Sequence, residues 1–201
     1  MVTIKDRKEE FDIYAASESF ANDYEFHTWC KHLFILNKAL YNQTILDAYY
    51  LRAYITTLYE LSNDGLEYAE KQKENVPQDS RYELLIKMMT DILAQLSDDE
   101  YILLKFFRDS YCHIFTDTYN YYDKKGTLKT KKMSLYTKDR KKYSISAREF
   151  MDKAAAILGT TQYGELYFKK RLIQVCYPII CKYETLFTES EIGLWNKHRE
   201  Y

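Results

Sequence analysis

SDDEYILLKFFRDSYCHIF, residues 97–115, is the stretch whose reading decides the fold. Ser97 and Glu100 stand in a capping-box relation: the hydroxyl accepts from an amide one turn in, and the carboxylate reaches back to the cap amide. Behind this start, Tyr101, Leu104, Phe107, Tyr111 and Phe115 recur at helical spacing, which predicts a helix with one buried face. The same start signal recurs at Ser80–Glu83, Ser146–Glu149 and Thr188–Glu191. Working outward, the pattern predicts helices over about 8–22, 27–41, 43–72, 80–96, 98–122, 146–158, 162–184 and 188–199. Asn22-Asp23 reads as a break and SNDG at 62–65 as an early stop. ENVPQD around Pro77 is a loop, and Pro178 should kink the helix that holds it.

Composition supports the same class. The 201 residues suffice for one good-sized core, and only five glycines and two prolines leave few turns for a many-stranded sheet. The expectation is an all-α, single helical-bundle domain spanning 1–201, with about six to eight helices. Apolar residues make up 46% and charged residues 29%, which excludes a disordered tail. No apolar run approaches the roughly 20 residues of a membrane span, and the opening MVTIKDRKEEFD lacks a secretory signal, so a cytoplasmic protein without a membrane partner is expected. Cys30, Cys112, Cys176 and Cys181 have no zinc-like spacing. The 21 tyrosines fit either AT-rich codon usage or a surface of stacking rings.

Net charge is −1, but its distribution is uneven. DKKGTLKTKKMSLYTKDRKKYSIS, residues 123–146, places Lys124, Lys125, Lys129, Lys131, Lys132, Lys138, Arg140, Lys141 and Lys142 in one run. MSLYT and KYSIS alternate around KDRK, which predicts a basic loop or short β-hairpin near 124–145. Such a run suits an RNA-backbone clamp with Tyr136 and Tyr143 available for stacking, or else a solvated loop.

Arg108 and His113 are five positions apart on the predicted helix, a net rotation of about 140°. They flank a shared face rather than pairing with each other. Arginine offers a permanent cation whose fork matches phosphate oxygens, and histidine exchanges a proton near neutrality. Together they can cleave RNA without metal: the imidazole takes the 2′-OH proton, that oxygen attacks the adjacent phosphorus, and the guanidinium holds the developing charge. One histidine does not serve comfortably as both base and acid, so the mechanism asks for a homodimer.

RDSYCH, residues 108–113, resembles the signature of the HEPN superfamily, whose RNA-cleaving members carry Arg, a polar residue, three to five further residues and then His. The general look is similar to HEPN domains of abortive-infection and toxin–antitoxin systems. The resemblance covers about residues 98–119. It implies a dimeric, metal-independent endoribonuclease with Arg108 and His113 as the catalytic pair, Asp109 orienting them, no cofactor, and an antitoxin or other protein partner. Members silenced by nucleotidylation need a tyrosine two positions after the histidine; this chain has Phe115 there. The alternative is a non-catalytic helical binding or inhibitor protein, phage- or defence-related, in which Arg108 reaches solvent and His113 is a satisfied, partly buried side chain.

Other signals are weaker. His27, Cys30 and His32 do not converge as metal ligands on a helix, so no metal site is expected. Trp29, Phe34 and Tyr41, and Leu51, Tyr54 and Leu58, read as core stripes. There is no phosphate-cradling glycine loop and no GxSxG, which leaves NTPase and hydrolase classes without support.

Overall fold

Two of the four capping boxes close as their spacing predicts. Ser97 N–H donates to Glu100 Oε2 at 2.9 Å while Glu100 N–H donates to Ser97 Oγ at 3.1 Å. Ser146 and Glu149 make the same reciprocal pair at 2.9 and 3.1 Å. The other two do not. Asp79 caps the helix expected to start at Ser80, accepting from Arg81 N–H at 3.0 Å and from the Arg81 guanidinium. Thr188 sits inside a longer helix, its hydroxyl donating back to the Glu184 carbonyl at 3.0 Å.

The computed structural model describes residues 18–41, 48–112, 120–130, 132–138, 141–160 and 164–199. Among them the architecture is an all-α bundle: α1 (Glu18–Tyr41), α2 (Ala48–Glu60), α3 (Leu66–Asn75), α4 (Ser80–Gln95), α5 (Asp98–Cys112), α6 (Ala147–Thr160) and α7 (Gly164–Arg199). The boundaries depart from the expected ones in three places. Asn22-Asp23 lies within α1 without a break. SNDG does not stop its helix; Leu61–Gly65 forms a π-helical turn joining α2 to α3, with the Ser62 hydroxyl donating to the Tyr59 carbonyl at 2.8 Å. And the helices expected at 162–184 and 188–199 are one, α7, with Pro178 inside it. Buried Asn37 braces that region, donating from Nδ2 to the Tyr177 carbonyl at 3.3 Å and accepting from the Tyr54 hydroxyl at 3.3 Å.

One helical stripe after another feeds the core: Phe26, Cys30, Leu33 and Phe34 from α1; Leu51, Tyr54, Ile55 and Leu58 from α2; Leu85, Met88, Met89 and Ile92 from α4; Phe168, Leu172, Cys176 and Ile180 from α7. α4 packs on α3 and α7, α1 joins α7 to α2, and α2 lies against α5. Tyr41 departs from its expected stripe. It is 57% exposed and stacks on Tyr177 with ring centroids 3.6 Å apart.

The basic excursion forms two antiparallel hairpins, β1 (Asn120–Tyr122) with β2 (Leu128–Thr130), and β3 (Lys132–Tyr136) with β4 (Lys142–Ser146). The motif helix therefore does not extend to residue 122 as expected: Asn120, Tyr121 and Tyr122 are strand, paired with Thr130, Lys129 and Leu128. Gly126, at φ 75°, takes the left-handed conformation that the first hairpin's turn requires. The second hairpin is the one anticipated from MSLYT and KYSIS. Leu135 and Ile145 dock it against Ile102, Phe106 and Phe150, forming a small second core between α5, α6 and the hairpin.

Candidate functional site

α5 is amphipathic in an unusual way, because its buried side carries charge as well as apolar groups. Tyr101, Leu104 and Phe107 enter the main core, and Asp109 is only 3% exposed. A carboxylate so placed needs partners, and it has two. Lys105 Nζ donates to Asp109 Oδ2 at 2.9 Å, one helical turn away, and Arg108 Nη1 donates to Oδ1 at 2.9 Å. Arg108 reaches across to α2 as well, where its Nε donates to Glu60 Oε1 at 2.6 Å and its Nη2 is ion-paired with the same oxygen.

Both cations also lie over the buried ring of Tyr59, Lys105 Nζ at 5.3 Å and Arg108 Cζ at 5.7 Å from its centroid. Lys105, Arg108, Asp109 and Glu60 therefore form a cluster whose formal charges cancel. Burial disfavours the charge on Arg108, but the hydrogen bonds to Asp109 and Glu60 outweigh it and hold its pKa above the usual arginine value. Burial, reinforced by nearby Tyr101 and Asp109, pushes the Tyr59 hydroxyl well above the ordinary tyrosine range.

Of the expected catalytic residues, Arg108 and Asp109 are thus in direct contact, whereas His113 lies outside the described residues. Glu60 and Tyr59 were missed by sequence reasoning. Lys105–Asp109 is legible as an i,i+4 pair, but Glu60 lies 48 positions from Arg108 and carries no local signal.

The expected RNA clamp divides. Lys124, Lys125, Lys132, Lys141 and Lys142 are exposed on the hairpins. Lys129 is ion-paired with Asp123 at 3.0 Å, and Lys138 donates to the Leu96 carbonyl at 3.1 Å, tying the second hairpin to the end of α4. Lys131 and Arg140 lie outside the described residues. Tyr143 is partly exposed on β4. On α5, the hairpin packs through Ile102 and Phe106, while Arg108 meets α2.

At the end of α5 away from its cap, Tyr111 is flanked by two more cations. Arg52 of α2 has its Cζ 5.2 Å from the ring centroid, and Lys169 of α7 has its Nζ at 5.4 Å. Elsewhere, His27 packs edge-on to Phe26 and Phe187, with centroids at 5.2 and 5.9 Å. A cleft of about 220 Å³ on α7 is lined by Leu166, Tyr167, Lys170, Arg171 and Gln174. Among the described residues, no three His, Cys, Asp or Glu side chains gather as a metal site, and no helix is long and apolar enough to cross a membrane.

No protein-family model, no curated protein and no solved structure matches the chain.

Proposed function

We propose that the chain is a metal-independent endoribonuclease of the HEPN type, active as a homodimer in a defence or toxin–antitoxin setting. Arg108 stabilises the charge on phosphate, His113 exchanges protons, and Asp109 orients the guanidinium. The 2′-oxygen attacks the adjacent phosphorus and expels the 5′-oxygen, leaving a 2′,3′-cyclic phosphate and a 5′-hydroxyl. The observation that carries this reading is the Arg108–Asp109 contact at 2.9 Å, which fixes one edge of the guanidinium as the polar neighbour in RDSYCH would. To hold a phosphate, Arg108 must exchange its bond to Glu60 for one to the substrate, with Asp109 retained.

A second reading, a non-catalytic helical binding protein, is favoured by one specific feature: Glu60 and Asp109 together already neutralise Lys105 and Arg108. Single-stranded RNA incubated with the purified chain in EDTA separates the two. The nuclease reading expects cyclic-phosphate ends from the wild type and their loss in Arg108→Lys and His113→Ala variants whose circular dichroism is unchanged. Intact RNA with the wild type, or equal residual cleavage in both variants, returns the assignment to the binding protein.

A further inference from the structure

Arg52, Tyr111 and Lys169 come from three different helices and meet at one point. Arg52 is exposed, and among the described residues no carboxylate lies within ion-pair distance of it. Its guanidinium carbon lies 5.2 Å from the Tyr111 ring centroid, and a guanidinium held against an aromatic ring keeps a fork of N–H donors that matches phosphate oxygens. Lys169 is different: its side chain is only 13% exposed, and its ammonium lies over Phe107 at 4.9 Å as well as over Tyr111. Its ion-pair partner is Glu165, itself about half exposed.

Among the described residues, one carboxylate is thus in ion-pair contact with the two cations gathered on this ring, Glu165, and it pairs with Lys169 and not with Arg52. Burial and then the positive charge of Arg52 lower the Lys169 pKa from its ordinary value. A bound anion would relieve both effects, and the forked guanidinium beside a half-buried ammonium matches phosphate oxygens.

We propose that Arg52 and Lys169, held against Tyr111, form a phosphate subsite for the backbone of a single RNA strand. The choice of RNA rests on the nuclease reading. Tyr111 is three residues beyond Arg108 on α5, a rise of about 4.5 Å. A strand held at Arg52 and Lys169 therefore follows the α2–α5 seam towards Arg108.

The test is fluorescence anisotropy with the full chain and a labelled 2′-O-methyl oligouridine of about twelve nucleotides, titrated over a range of NaCl concentrations. The probe has no free 2′-hydroxyl, so binding is read whether or not the protein cleaves RNA. Arg52→Ala and Lys169→Met should each weaken binding about five-fold at low salt. The double variant should reduce the slope of log affinity against log salt by about 1.4, given about 0.7 per phosphate contact on a single strand. Arg52→Lys should keep the wild-type slope, and Lys71→Ala, on an exposed α3 position, should bind within about two-fold of wild type. If Lys169→Met fails to fold by circular dichroism, the Arg52→Ala against Arg52→Lys comparison decides alone, with a slope change of about 0.7. No wild-type binding, an unchanged slope in Arg52→Ala, or an equal loss in Lys71→Ala overturns the subsite. Oligonucleotide binding that depends on Arg52 without any RNA cleavage overturns the nuclease reading alone; cleavage with an unaltered slope overturns the subsite alone.

Discussion

Arg108 and Arg52 both lie along the seam between α2 and α5, yet their surroundings are opposites. Arg108 is held by Glu60 and Asp109 in a cluster of two cations and two carboxylates. Arg52 lies against an aromatic ring beside a second cation, Lys169, and among the described residues the one carboxylate in ion-pair contact there is Glu165, on Lys169. The difference follows from burial. Asp109 is almost completely enclosed, so each charge near it requires an opposite one in hydrogen-bond contact. Arg52 is exposed, and water supplies what a carboxylate would otherwise provide. At one end of the α2–α5 seam, the closed end, the charges are therefore compensated, while at the other, the open end about one helical turn further along α5, Arg52 has no carboxylate in ion-pair contact among the described residues.

The comparison breaks most visibly at Asp109. Asp109→Asn keeps the shape but takes the carboxylate from partly buried Lys105 and leaves Arg108 with Glu60 alone, and should cost about 3–5 kcal/mol in urea unfolding. Adding Lys105→Met removes one of those cations and should recover a substantial part of the loss. An Asp109→Asn cost below about 1 kcal/mol would mean that the cluster is not closed. Asp79 and Arg81, a closed pair on a different helix with 8% and 16% side-chain exposure, test whether closure itself sets the cost. Asp79→Asn should lose about 2 kcal/mol at neutral pH, through cap and ion pair together. Burial works to raise the Asp79 carboxyl, but the hydrogen bonds from Arg81 outweigh it and hold the group below its ordinary value of 3.8. Its stabilisation is thus full above that value and disappears as pH falls through the lower, folded one. Wild type and Asp79→Asn should accordingly converge in stability in strong acid, as read by denaturant midpoints.

Glu60→Gln sharpens the same contrast, because it converts the closed end into an open one. It removes one carboxylate from a neutral cluster, leaves a net positive charge around Arg108, and should cost about 1–2 kcal/mol. Its second effect is the informative one: RNA affinity should rise at low salt, with the salt slope steeper by about 0.7 for one added phosphate contact. A destabilised Glu60→Gln variant with unchanged salt dependence would show that Arg108 does not face the strand.

The residues around α5 also show which features could be read along the chain. The helix class was legible because Tyr101, Leu104 and Phe107 repeat at helical period and Ser97 caps them with Glu100, all interactions that close within one or two turns. Where two local solutions compete, sequence was insufficient. Asp79 stands next to Ser80, and its carboxylate captures both the Arg81 amide and guanidinium, moving the cap by one residue. The SNDG stretch carries every mark of a stop, but buried Ser62 and its neighbour Asn63 turn back onto the Tyr59 carbonyl, and the helix continues as a π turn. The site divides along the same line. Arg108, Asp109 and even Lys105 are visible in one helical turn, whereas Glu60, Arg52 and Lys169 reach α5 only through the packing of α2 and α7.

The smallest effect belongs to the open end. Arg52→Ala removes an exposed guanidinium whose contact here is a cation–π approach at 5.2 Å to Tyr111, worth at most about 0.5–1 kcal/mol at an exposed site. It also relieves the repulsion with Lys169, whose pKa that charge helps to lower. These effects oppose each other, so the unfolding midpoint in urea should shift by less than about 0.5 kcal/mol in free-energy terms. The Lys169 ammonium should meanwhile titrate at higher pH in the variant, which heteronuclear NMR of the lysine side chains can follow. A large loss of stability in Arg52→Ala would mean that Arg52 holds α2 to α5 as Arg108 does. The seam would then be closed along its whole length, with no end left open for an anion.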